Sequence, residues 1–132
     1  MRKKKVPLPK DIVTVGKLPP ISLSYRVYRW MSSPHGLDLG AARLSVYALL
    51  YELTEQGSKR ILIQQEEMAQ GLGVSLKSIN RAIASLGDDG LITTSECARA
   101  RHELKGFRSP LAYGIALRRV RTAISNMAEH DL

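Results

Sequence analysis

QEEMAQGLGVSLKSINRAIASLGDDGLI, residues 65–92, is the stretch that decides the fold of this chain. Over residues 65–72, apolar and small side chains recur at the spacing of one helix face, which predicts a first short helix. Gly73 then provides a residue that readily takes a positive φ at a sharp turn. Ser75 is a good N-cap for a second helix over residues 76–86. The stretch therefore predicts two helices joined by a tight turn.

The second of these helices is amphipathic. Its apolar side chains fall on a face that we expect to be buried: Leu76, Ile79, Ile83 and Leu86. The opposite face, which we expect to be exposed, is polar: Lys77, Ser78, Arg81 and Ser85. This is the layout of a helix-turn-helix, in which the second helix lies in the major groove of DNA.

The spacing of three residues tests this interpretation. A helix-turn-helix needs a small residue within its first helix, where the second helix crosses closely, and Ala69 is such a residue. Gly73 occupies the turn, and Ile79 is placed to fill the angle between the two helices. An ordinary αα-hairpin in a helical bundle would use the same three residue types, so these positions alone leave both interpretations open.

A wing is predicted directly after the second helix. Residues 91–94 favour a strand, and residues 111–117 alternate loosely between two faces. The basic loop ARARHELKGFRS, residues 98–109, would join these two strands into a hairpin. Residues 60–63 are short enough to form the third strand of a small sheet. We therefore predict a mainly α fold with a small antiparallel β wing, an α+β winged helix-turn-helix.

The stretch over residues 41–117 resembles a winged helix-turn-helix domain. VSLKSINRAIASLGDDGLI, residues 74–92, is similar to the recognition helix and wing entry of GntR-type and catabolite-activator-type regulators. LGAARLSVYALLYELTEQG, residues 39–57, together with this motif also resembles the N-terminal DNA-binding domains of phage and plasmid replication initiators. The resemblance implies binding to double-stranded DNA. Leu76 departs from the regulator pattern, which usually has an arginine there, and this removes one expected base contact.

The candidate DNA-binding residues lie in two groups. Those of the second helix are Ser75, Lys77, Ser78, Asn80 and Arg81. Those of the proposed wing are Arg99, Arg101, Lys105 and Arg108. Arginine and lysine can pair with guanine in the major groove, and serines near a helix start suit phosphates. Long cationic side chains on a hairpin suit phosphates or the minor groove.

Length and charge agree with this class of protein. The chain has 132 residues, 44% of them hydrophobic, which suffices for one domain with tails. Twenty Lys and Arg against twelve Asp and Glu give a net charge of +8 and a pI near 9.9, which favours polyanionic partners. We divide the chain into a basic, Pro-rich flexible arm (1–20), a short helical extension (21–37), the winged domain (38–117) and a C-terminal helix (118–132).

Segments outside the predicted winged domain lead to two further predictions. The arm has either a functional role, tracking phosphates or entering the minor groove, or none, as a solvated tail. The aromatic segment over residues 25–31 and the stripe of Val120, Ile124 and Met127 flank the domain. Because such regulators gain site length by two-fold pairing, we expect a homodimer built from one or both of these segments.

Catalysis and membrane insertion find no support in the sequence. There is no His-x-x-x-His or Cys-x-x-Cys metal motif and no phosphate-binding loop, so we expect no enzyme, metal, cofactor or small-molecule ligand. Cys97 has basic neighbours that could make it a redox sensor, but a lone cysteine at a strand end is usually a small apolar residue. No apolar run can span a bilayer or serve as a signal peptide, and we expect a cytoplasmic protein.

Three function classes follow. The first is a small transcriptional regulator that reads the major groove with the helix at 75–86. The second is a replication-initiation or partition module of a plasmid, phage or other mobile element. The third is a winged helix turned to protein interaction. A protein-binding version should present apolar anchors on its second helix, whereas the face predicted to be exposed is polar.

Overall fold

The structure, a computed structural model, describes residues 10–15, 18, 24–96 and 111–130. Within them, the elements in chain order are β1 (Ile12–Thr14), α1 (Tyr25–Ser32), α2 (Ala41–Leu53), β2 (Arg60–Leu62), α3 (Gln65–Leu72), α4 (Leu76–Asp88), β3 (Ile92–Glu96), β4 (Leu111–Ile115) and α5 (Leu117–His130). α2 and α4 contact the strands β4 and β3 of a small sheet. This is the predicted α+β winged helix-turn-helix.

The sheet has the strand order β1-β2-β4-β3. β3 and β4 form an antiparallel hairpin in which Ile92 pairs with Ile115 and Glu96 with Leu111. β2 adds to β4 in antiparallel orientation, with Ile61 opposite Tyr113. The three strands predicted for the wing sheet are therefore confirmed, and α4 leads directly into the first strand of the hairpin.

One strand falls where the sequence predicted a flexible arm. β1 pairs in parallel with β2, so that Ile12 lies beside Arg60, and the Ile12 side chain is buried. An ion pair between Asp11 and Arg60 holds the start of this strand, with 3.0 Å between Arg60 Nη2 and Asp11 Oδ1. The arginine holds the pKa of the Asp11 carboxyl below its usual value. Of the rest of the predicted arm, residues 1–9, 16, 17, 19 and 20 lie outside the described residues.

α2 is the centre of the hydrophobic core. Residues 46–51 of this helix are all buried, which is more than one face of a helix. α1, α3, α4 and β4 pack around it. On the α1 side, the Trp30 ring meets Tyr51 edge-on at 5.2 Å between centroids, and Tyr47 at 6.3 Å. Edge-to-face pairs of this kind add about 0.5–1.5 kcal/mol each beyond the area they bury.

α1 and α5, the two segments that flank the domain in sequence, lie against each other. The inner face of α5 buries Val120 and Ala123, and Met127 packs against the same core. A groove of about 200 Å³ runs between the two helices, lined by Tyr25, Arg26, Arg29, Trp30, Ile124, Met127 and Ala128. None of the helices in the described ranges is long and apolar enough to cross a membrane.

Two exposed glycines give a test of the turn between α3 and α4. Gly73 has a φ of 68°, in the left-handed region, whereas Gly87 lies inside α4. A Cβ at either position would meet no atom within 4 Å, so the backbone alone decides the effect. We expect Gly73→Ala to lower the free energy of unfolding by about 1–2 kcal/mol, because alanine is strained in that region.

Gly87→Ala is the matched control, since alanine favours the helix and restricts the unfolded chain. We expect it to raise the free energy of unfolding by about 0.4–1 kcal/mol in urea titrations. Equal effects of the two substitutions would contradict the left-handed turn.

Candidate nucleic-acid interface

The turn between α3 and α4 fixes the angle at which α4 leaves the core. Ala69 is buried in α3, and its carbonyl accepts a hydrogen bond of 3.0 Å from the Val74 backbone N–H. Gly73 ends α3 in the left-handed conformation, and Ile79 is fully buried between the helices. The three positions that the sequence singled out thus take the places that a helix-turn-helix requires.

Two serines organise the first turn of α4. Ser75 is the N-cap, and its Oγ accepts a hydrogen bond of 3.1 Å from the Ser78 backbone N–H. The two hydroxyl groups also lie 2.9 Å apart, within hydrogen-bonding distance. Ser75 is exposed and Ser78 is half-buried. The first backbone N–H groups of a helix have no carbonyl partner within the helix, so such groups are available at the start of α4.

α4 separates a buried face from an exposed face. The buried face consists of Ile79, Ala82, Ile83 and Leu86. The exposed residues between the N-cap and the last turn are Leu76, Lys77, Asn80, Arg81 and Ala84. Lys77 and Arg81 are one helical turn apart and so project from the same side. The predicted DNA-binding residues of this helix therefore share one solvent-facing surface, with Ser78 at its edge.

Leu76 differs from the prediction, which placed it in the buried face. Its side chain is 40% exposed, because it occupies the first position of α4, where no preceding turn of the helix covers it. Ala84 is a second exposed apolar residue that the sequence prediction did not include. The helical period would have found Ala84, since it lies one turn beyond Asn80.

The C-terminal end of α4 is tied to the scaffold. Asp89, the C-cap residue, forms an ion pair with Arg43 of α2. The Leu91 backbone N–H donates to the Leu86 carbonyl at 3.0 Å, and the Ala116 N–H donates to the Leu91 carbonyl at 3.0 Å. These bonds connect α4, the base of the wing and the start of α5. The four predicted wing residues, Arg99, Arg101, Lys105 and Arg108, lie outside the described residues.

The exposed surface of α4 is suited to binding a polyanion. Lys77 and Arg81 supply positive charge, Asn80 and the two serines supply neutral hydrogen-bonding groups, and the acidic residues of α3 are confined to its first turn. In the part of the chain that the structure describes, no group of three or more His, Cys, Asp or Glu side chains could hold a metal ion. The exposed face of α4 thus brings hydrogen-bonding groups and positive charge together on one surface.

Comparison with known protein families agrees with this geometry. Residues 45–105 match the model of the Crp-like helix-turn-helix domain, a span that begins within α2 and includes α3, α4 and β3. The chain therefore carries a winged helix-turn-helix domain of the DNA-binding kind. Comparisons with curated proteins and with solved structures gave no significant match.

Substitutions of Ser75, the N-cap of α4, can separate an effect on protein stability from an effect on DNA binding. We expect Ser75→Ala to lower the free energy of unfolding by about 1 kcal/mol, because the cap hydrogen bond is lost. Ser75→Asp keeps a capping oxygen and favours the helix N-terminus, so the protein should remain as stable as the wild type.

The same Ser75→Asp variant should bind every DNA sequence more weakly, by about fivefold or more, if Ser75 lies beside a phosphate. That factor corresponds to the ~1 kcal/mol repulsion between two unit charges 4 Å apart in water. Urea titration and fluorescence anisotropy measure the two properties. Unchanged DNA affinity of this variant would contradict the predicted phosphate contact.

Proposed function

We propose that this protein is a small transcriptional regulator that binds double-stranded DNA and reads its sequence with α4 in the major groove. The observation that carries the proposal is the division of α4 into a fully packed inner face and a polar, cationic outer face on a helix-turn-helix scaffold. The family match of residues 45–105 supports the same class of partner. We also propose that the protein works in the cytoplasm, where its DNA target would lie.

The outer face of α4 has the side chains needed for base recognition. Arg81 can pair in bidentate fashion with the O6 and N7 atoms of guanine, and Lys77 can reach the same acceptors. Asn80 can pair with the N6 and N7 atoms of adenine. The serines at the start of the helix suit a phosphate, helped by the helix N-terminus. The cations of residues 98–109 would contact the backbone beside the groove and so position α4 without reading sequence.

Arg81 tests whether α4 reads bases. We expect Arg81→Ala to cost about 1–3 kcal/mol of binding free energy on the preferred site and to flatten discrimination at one or two base positions. The preferred site is obtained by selection from a random duplex library, and binding is then measured on it and on random duplex.

Arg81→Lys is the control for charge. It keeps the positive charge but loses the bidentate geometry, so discrimination should fall while binding to random duplex stays near the wild-type value. If Arg81→Ala weakens specific and random duplexes equally, and Arg81→Lys restores both, then Arg81 is a phosphate contact and not a base contact.

We further propose that the protein acts as a homodimer that pairs through α1 and α5. Large apolar side chains remain exposed on these helices: Tyr25 is 75% exposed and Ile124 is 38% exposed. The Arg29 guanidinium lies 5.8 Å from the centre of the Tyr25 ring, so this side of α1 is both aromatic and cationic. A second copy would cover the apolar groove between the helices, which a single copy leaves open to solvent.

A two-fold axis that runs across α5 would pair two copies of this helix in antiparallel orientation through the side that carries the exposed Ile124. The same axis would place two α4 helices on one duplex and predicts a palindromic site.

Ile124 tests the dimer. We expect Ile124→Glu to produce monomers at tens of micromolar protein, a rough working range for a stable dimer, because a carboxylate would be buried at the paired surface. Asn126→Glu is the control: Asn126 is exposed on another side of α5, so the same added charge should leave the dimer intact. Light scattering measures the mass. A wild-type protein that is monomeric in this range would overturn the dimer.

A further inference from the structure

We propose that Leu76 is a specificity-determining residue that reads the 5-methyl group of a thymine in the DNA site. The inference rests on the proposed function, because it requires α4 to lie in the major groove. The Leu76 side chain departs from the predicted pattern, in which the apolar residues of α4 are buried. Leu76 is an apolar residue at the first position of α4, and it is 40% exposed on a helix whose other apolar positions before Ala84 are buried.

Packing of the core does not explain why position 76 is a leucine. Around the same turn, Leu72 and Val74 are partly buried and pack against the core. The next apolar residue of α4, Ile79, is fully buried, and the core continues from it toward Leu86. Leu76 lies at the border of the buried face and turns outward.

The neighbours of Leu76 place it on the proposed reading surface. Asn80 lies one turn further along α4, so the Cβ atoms of the two residues are about 5–6 Å apart on the same side of the helix. Successive base pairs are about 3.4 Å apart along the duplex. A leucine one turn from Asn80 would therefore lie over a base within about two pairs of the one that Asn80 contacts.

Thymine is the base that an apolar side chain can recognise in this position. Its 5-methyl group is the one apolar group that the four natural bases present in the major groove, and contact with it needs no hydrogen bond. Leu76 beside Asn80 would then select an A·T-rich step, whereas Lys77 and Arg81 would select guanine. An arginine at this position would instead favour guanine, so the substitution of leucine changes which base pair is preferred rather than simply deleting a contact.

The test removes the methyl group from the DNA before it alters the protein. In the preferred duplex, each thymidine is replaced in turn by 2′-deoxyuridine, which lacks only the 5-methyl group. At one or two positions the wild-type protein should bind about fourfold more weakly, the fold-change expected for one buried methyl group at about 0.8 kcal/mol. Replacements outside the bound site serve as the control on the DNA.

The protein arm uses Leu76→Ala and Leu76→Met. With Leu76→Ala, the sensitivity to deoxyuridine should disappear at those positions, while Leu76→Met, which keeps an apolar side chain of similar size, should retain it. A wild-type protein that is insensitive to deoxyuridine at every position would overturn the inference. So would an equal effect of deoxyuridine on the wild type and Leu76→Ala.

The experiments distinguish failure of the proposed DNA-reading function from failure of the inference about Leu76. If selection from the random library enriches no sequence, the proposed function falls and this inference falls with it. If a site is enriched and Arg81→Ala relaxes it, but the deoxyuridine effect does not depend on Leu76, only the inference is overturned. Because the deoxyuridine experiment on the wild type changes no residue, its outcome does not depend on how the variants fold.

Discussion

The packing of the inner face of α4 against α2 and α3 is the interaction on which the rest of the structure depends. Ile79 and Leu86 are fully buried, and full burial of such a side chain contributes about 1.5–3 kcal/mol. Ala82 between them is small enough to let the helices approach closely. Once these residues are packed, the rotation of α4 about its axis is fixed, and the opposite face must point to solvent. The position of Arg81 and Asn80 is thus a consequence of the core.

The core also joins the proposed reading helix to the surface proposed for pairing. Tyr47 of α2 is fully buried, and burial raises the pKa of its hydroxyl above the ordinary value. Its ring and that of Tyr51 meet Trp30 of α1, which in turn lines the groove beside α5. On the sheet side, the Tyr113 hydroxyl accepts a hydrogen bond of 3.1 Å from Gln65 at the start of α3. Close-packed contacts of this kind hold the helices in fixed relative positions. In a dimer, α1, α2 and α5 together would therefore determine the distance between the two α4 helices.

The sequence predicts this fold well where local signals and burial agree. Gly73 and Ser75 mark the turn and the cap, and α3 has the bounds that its pattern predicts. β1 could not be found in this way, since a strand over Ile12–Thr14 is too short to show a period and depends on its pairing with β2. Leu76 was misplaced for a related reason. A prediction from the helical period of 3.6 residues places every leucine near the apolar stripe in the core. It does not take into account that no turn of the helix precedes the first residue and covers its side chain.

The limited number of charges on α4 explains why apolar contacts and pairing would matter for function. Lys77 and Arg81 are the cations of its exposed face, and two contacts to guanine or phosphate supply only part of the affinity of a specific site. Cations elsewhere in the chain would strengthen binding to all sequences alike and so cannot raise the ratio of specific to random binding. That ratio can increase through neutral contacts such as those of Asn80 and Leu76, and through the doubling of the site in a dimer. Under the proposed function, selectivity would come from the uncharged Asn80 and Leu76 together with Arg81, whereas the net charge of +8 would draw the protein to DNA of any sequence.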